Sequence, residues 1–241
     1  MNGPTVRFLV GVTYAVLALS SAIAADISTT TPVEIYAIAT VTVDLTQVPQ
    51  YPKHLRAERA INAKNGVELV ASYQIQFGED SAREINIWAG ADAESLRRGL
   101  SAKELYTPEL RQMIESEVVE IATRNPIDAV KPRSVGSSSA PKPMVFGLAT
   151  VTIDSAKHEK FVEALRGEPP LEAKHGVNFV ASYHIELGDT AREFDVWSAV
   201  DSETIRQSFY YGDAEARGLE EVIKKEGVVI AASNVIDQVA K

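Results

Sequence analysis

The chain of 241 residues contains no cysteine. That excludes disulfides, thiolate nucleophiles and cysteine-ligated metals, so hydrophobic cores alone must hold it together. It is also short of positive charge. Against 33 Asp and Glu stand 24 Lys and Arg, for a formal charge of -9. The acidic residues are spread along the chain, which favours solubility and leaves no basic footprint for nucleic acid or an anionic membrane surface. No Asn-x-Ser/Thr sequon occurs, and no Walker loop, dinucleotide fingerprint, nucleophile elbow or His-Glu-x-x-His run is present. The Ser137-Ser138-Ser139 run lies among Pro and Gly and reads as spacer. A membrane-spanning run is missing too. The apolar stretch from Phe8 to Leu19 is short for a span. With Arg7 before it and Ala22-Ile23-Ala24 after it, it reads as a signal peptide over residues 1–24. The expectation is a secreted or periplasmic protein that keeps no membrane segment once the leader is cleaved.

What is present is a repeat. Ala39-Thr40-Val41-Thr42-Val43-Asp44 returns as Ala149-Thr150-Val151-Thr152-Ile153-Asp154, 110 residues later. At the same offset, residues 63–75 return as residues 173–185. Beyond the next turn the offset becomes 109: Trp88 matches Trp197, and Asn125-x-Ile127-Asp128 matches Asn234-x-Ile236-Asp237. A period this long is a duplicated domain, not a solenoid. The sequence divides into a first repeat over 33–130, a Pro/Ser/Gly linker over 131–143 and a second repeat over 144–240.

Each repeat reads as strand, helix, hairpin, helix, strand. Gly66 and Gly176 stand where a helix ends in a left-handed residue, and Asp92 and Asp201 can cap second helices. The order βαββαβ is the ferredoxin-like unit. Its sheet has helices on one face only, so two units packed sheet to sheet as a pseudo-twofold α+β barrel is the expected architecture.

The motifs resemble the NIPSNAP-type branch of the dimeric α+β barrel superfamily. They are His175-Gly176, the SYHIELG strand at 182–188, Trp197, and Asp201 with Glu203 and Arg206. Asn65-Gly66, SYQIQFG at 72–78, Trp88, and Asp92 with Glu94 and Arg97 repeat them. The resemblance implies the barrel fold and a binding or interaction protein of undefined ligand. The wider superfamily implies an alternative, a cofactor-independent enzyme of oxygenase or isomerase type acting on a small organic molecule. The secretory leader departs from that branch's mitochondrial role. No cofactor is expected. The partners expected are a small molecule between the two repeats, a protein partner or a second copy.

Alternation sorts the hairpin of the second repeat by face. Val177, Phe179, Ala181, Tyr183, Ile185 and Leu187 form an apolar set expected to lie under the helices. Pairing Ile185 with Phe194 puts His184 opposite Asp195 and Glu186 opposite Glu193. Three readings follow: His184 as a general base oriented by Asp195; His184, Glu186, Glu193 and Asp195 as ligands of a cation; or a solvated or paired polar face. Ser182, Trp197, Trp88, Gln74 and Asn86 join the site as expected ligand contacts. In the first repeat the same pairing sets Gln74 against Asn86 near Trp88, and Gln76 against Glu84. Amides cannot act as acid or base, so chemistry is expected in the second repeat. His54 and His158 read as surface residues.

Overall fold

The computed structural model describes residues 35–75, 82–102, 107–127, 145–211 and 221–234. The expected signal peptide, the expected linker and the outermost residues of both repeats lie outside the described residues. The first half runs β1 (Ile35–Val43), α1 (Tyr51–Lys64), β2 (Val67–Ile75), β3 (Arg83–Gly90), α2 (Ala93–Leu100), α3 (Pro108–Met113) and β4 (Ile114–Arg124). The second runs β5 (Val145–Asp154), α4 (His158–Glu172), β6 (Asn178–Glu186), β7 (Thr190–Ala199), α5 (Ser202–Tyr211) and β8 (Ile223–Ser233). Local chemistry sets several boundaries. Gly66 and Gly176 take φ of 74° and 81° where the chain leaves α1 and the turn after α4, a region costly to residues with a Cβ. The carboxylates of Asp92 and Asp201 each accept an amide hydrogen bond of 2.7 Å, from Ser95 and Thr204, at the starts of α2 and α5.

The eight strands close into one antiparallel barrel in the order β1-β3-β2-β8-β5-β7-β6-β4. Within each half, neighbouring strands pair over long ladders. The halves meet at two short seams: Tyr73–Ile75 of β2 against Ala231–Ser233 of β8, and Thr123 and Arg124 of β4 against Tyr183 and His184 of β6. Both halves fill the barrel interior. Tyr36 meets Tyr183 edge to face, and Tyr73 tilts against Phe146, each at 5.0 Å between ring centroids. Two further cores lie outside the barrel wall, beneath the helices. One contains Tyr51, Leu55 and Trp88, the other Phe161, Leu165 and Trp197. Among the described residues no helix is long and apolar enough to cross a membrane.

Two expectations are corrected by this geometry. The apolar set of β6 does not share one face. The ladder to β7 shifts between Phe179 and Ala181, a β-bulge that adds one residue. Val177 and Phe179 lie under the helices, whereas Ala181, Tyr183 and Ile185 face the barrel interior. The polar set therefore lies on the helix side, and the space between the halves is taken by side chains. The hairpin register also differs. Tyr183, not Ile185, faces Phe194, which sets His184 against Glu193 and Ser182 against Asp195. The cause is a turn tighter than the sequence suggests: Leu187 N–H donates to the Thr190 carbonyl across Gly188, whose φ is 84°. The first half follows the same rule, with Gln74 opposite Glu84 and Ser72 opposite Asn86. Gln76 is outside the described residues.

Candidate functional site

Strands β6 and β7 carry Ser182, His184, Glu193, Asp195 and Trp197 on the helix side of the barrel wall. Glu193 is the hub. Its side chain is fully buried, and an isolated buried carboxylate is costly unless surrounded by donors. Asn125, just beyond β4, supplies one: its Nδ2 donates to Glu193 Oε2 at 2.8 Å and to Ser182 Oγ at 2.6 Å. The other oxygen, Oε1, lies 2.7 Å from His184 Nδ1 and 3.0 Å from His158 Nδ1. The two imidazoles are 3.9 Å apart between centroids. His184 Nε2 in turn lies 3.1 Å from Glu186 Oε2. The hydrogen bond to Glu193 holds the His184 pKa above its ordinary value, and burial pulls the other way without prevailing.

Asp195 faces elsewhere. It accepts from the Ser182 hydroxyl and looks into a cavity of about 50 Å³ between the sheet and α4 and α5. Phe161, Glu168, Trp197, Phe209 and Glu226 also line that cavity. Asp195 is 3% exposed, and its Oδ1 has no hydrogen-bond partner. Burial raises its pKa well above the ordinary carboxylate value, and the charges of Glu193, Glu168 and Glu226 push the same way.

The first half shows how this arrangement looks when it is only structural. Asn234 mirrors Asn125, donating at 2.7 Å to both Ser72 Oγ and Glu84 Oε2. Burial pushes Glu84 up to about 7, against the hydrogen bonds from Asn234 and Gln74. Gln74 takes the place of His184 and donates to Glu84 Oε1 at 3.1 Å. Asn86, in the place of Asp195, accepts from Ser72 and donates to Tyr51 Oη, each at 2.7 Å. Tyr51 occupies the position of Phe161, so its hydroxyl fills the space that the second half leaves as a cavity.

The sequence-derived residues therefore divide. His184, Glu186 and Glu193 come together, while Asp195 joins Ser182 and Trp197 at the cavity. His184 and Asp195 are not a dyad. Trp88, Gln74 and Asn86 are packed or hydrogen-bonded in the first half, and none is a hydrogen-bond partner of His184, Glu193 or Asp195. Sequence reasoning missed His158 and the role of Asn125. A signal for each existed: the offset of 110 sets His158 against Val48, and Asn125 and Asn234 are matched residues of the repeat.

No family model and no curated relative matches the sequence. Solved structures do. One, assigned as a monooxygenase from Lactobacillus acidophilus, is 14% identical with a TM-score of 0.57, over 84% of this chain and 94% of that one. An anthrone oxidase-like protein is 11% identical with a TM-score of 0.55, over 83% and 91%. A variant chlorite dismutase from Candidatus Nitrospira defluvii is 12% identical with a TM-score of 0.53, over 85% and 92%. The chain has the dimeric α+β barrel fold. These barrels are named as enzymes, which overturns the expectation of a NIPSNAP-like binding protein and directs attention to the enzymatic alternative.

Proposed function

We propose that the protein is an enzyme of oxygenase or isomerase type that transforms a small organic molecule in the cavity of its second half, and that its halves descend from one duplicated ferredoxin-like unit. The observation that carries the reading is the difference between two otherwise matching clusters. Where the first half seals the space with the Tyr51 hydroxyl on Asn86, the second leaves it open under a buried carboxyl with an unpartnered oxygen. An orphaned polar atom of this kind costs about 1–3 kcal/mol, so a group that supplies the missing hydrogen bond is bound at an advantage. The monooxygenase and oxidase-like assignments of the structural neighbours support the same reading.

The chemistry available is proton exchange. Burial among like charges favours the neutral form of the Asp195 carboxyl, which can donate to a substrate oxygen while a second carboxylate of the cavity, Glu168 or Glu226, takes the proton from the adjacent carbon to give an enol or enolate. Oxygenation and isomerisation of carbonyl compounds both begin with such a species. Ser182 fixes the carboxyl, and Trp197, Phe161 and Phe209 supply apolar walls. His184 is engaged at both nitrogens by carboxylates, which moves the proton-transfer role assigned to it onto Asp195.

The test is Asp195→Asn, the residue that the first half already carries at Asn86. A panel of small enolisable ketones and phenols is screened by oxygen consumption and by isomer analysis. Turnover should fall by roughly 10²–10⁴-fold in the variant, the usual worth of one acid–base group, with the fold intact by circular dichroism. Turnover unchanged in Asp195→Asn refutes the assignment.

A further inference from the structure

The cluster around Glu193 is larger than the fold needs. Both halves keep a buried Glu held by an Asn from the end of the other half's ladder, Glu84 with Asn234 and Glu193 with Asn125. That clasp explains the Glu and the Asn. It does not explain the two histidines. At the matching positions the first half has Val48 and Gln74, so the second half differs at both. Two of the chain's four histidines, from separate elements, converge on one oxygen of one buried carboxylate.

We propose that His158, His184 and Glu193 form a binding site for a divalent first-row transition-metal ion. One ring nitrogen of each histidine and a Glu193 oxygen all lie within 4.8 Å of one another, and both Nδ1 atoms are in reach of Glu193 Oε1. Around a tetrahedral ion with bonds of roughly 2.0–2.1 Å, ligand atoms stand about 3.3 Å apart. The present 2.7 and 3.0 Å need to widen only by a few tenths of an ångström. The donors suit the ion: imidazole nitrogen with one carboxylate takes zinc, iron, nickel or copper in preference to calcium or magnesium. Such a set leaves coordination positions open for water or a ligand.

The groups behind the donors have the arrangement metal sites use. A metal-bound histidine commonly donates its other ring N–H to a carboxylate, and bound carboxylates are themselves hydrogen-bonded. His184 has Nδ1 toward the focus and Nε2 on Glu186. Glu193 offers Oε1 to the focus while Oε2 is fixed by Asn125. A divalent ion would occupy the place where both Nδ1 atoms already converge on Glu193 Oε1. The side chains of His158 and His184 are 29% and 14% exposed, which gives the ion a way in from solvent. The site uses neither the cavity nor Asp195, and it departs from the expectation of no cofactor.

The experiment uses the full chain, purified without a polyhistidine tag and stripped with chelator. Zn²⁺ is titrated calorimetrically and Co²⁺ by visible absorption. One ion per chain is expected, with ligand-field bands for Co²⁺. His158→Gln and His184→Gln should each weaken binding by more than the roughly 10- to 100-fold that loss of an outer partner costs, and Glu186→Gln by about that amount. His54→Gln should bind as the parent does. Thermal melts of each apo variant establish that it is folded. No saturable binding of either ion overturns the proposal and leaves a proton-bridged His–Glu–His clasp. Saturable binding that survives both histidine variants overturns it as well, since the ion is then held elsewhere. The readout is binding, so its failure leaves the Asp195 reading standing, and the failure of Asp195→Asn leaves this one.

Discussion

Phe161→Tyr would copy into the second half the residue that closes the first. In the first half the Tyr51 hydroxyl is buried and 2.7 Å from Asn86 Nδ2. At the matching place in the second half there is a cavity of about 50 Å³, enough for the added oxygen, and beside it the Asp195 Oδ1 that lacks a partner. The new hydroxyl donates to that oxygen. A hydrogen bond between neutral groups contributes about 1 kcal/mol net, and one to a charged group about 1.5–3 kcal/mol. Because burial shifts Asp195 toward its neutral form, the lower figure applies. For a chain of this size about 1 kcal/mol raises Tm by about 2–4 °C. The stabilised variant should also lose turnover, because the hydroxyl occupies the substrate's place. The double variant with Asp195→Asn rebuilds the Tyr51–Asn86 pair, and its coupling in a double-mutant cycle should be favourable by about 0.5 kcal/mol or more. Differential scanning calorimetry on the four proteins reads the stabilities, and oxygen consumption with isomer analysis reads the turnover. A lower Tm for Phe161→Tyr, or full turnover with the hydroxyl in place, refutes the reasoning.

Two further outcomes concern stability. Burial, then the charge of Glu117, pushes Glu58 from 4.5 up to about 8. The folded chain keeps this proton where the unfolded chain has released it, so stability is lost as pH rises from about 4.5 to about 8, by at most about 1.4 kcal/mol per pH unit. Glu58→Gln should flatten part of that decline in urea unfolding at pH 5 and pH 8; an equal decline in parent and variant counts against it. At the β2–β8 seam, Asn234→Ala removes the donor shared by Ser72 and Glu84. It should cost about 1–3 kcal/mol by the same unfolding assay, and an unchanged midpoint would show that the seam does not depend on it.

The strand and helix order was legible because hydrophobic alternation, the helix-ending glycines and the capping aspartates are local signals, and the repeat states each one twice. The faces and the register were not. A single extra residue at the β6 bulge exchanges the sides of every residue after Phe179, and nothing in the composition of Val180 announces it. The tight turn at Gly188 moved each cross-strand partner by two positions, which replaced Asp195 with Glu193 beside His184. The difference that sets the candidate cluster of the second half apart was legible, since it rests on residue type at matched positions. His158 was hidden because its partners come from β6 and β7, far along the chain, and no local pattern marks such a meeting.

Among the described residues the two seams join three and two residue pairs, where the ladders inside each half join seven to ten. Each half is thus a continuous sheet, and the barrel is a clamshell whose two lips close around a shared aromatic core. Anything that parts the lips exposes the aromatic lining on both shells at once, and the nearest complementary surface is the other shell of the same chain or of a neighbour. At high protein concentration, opened chains can therefore trade shells, giving dimers with the same contacts as the monomer and differing from it only in connectivity.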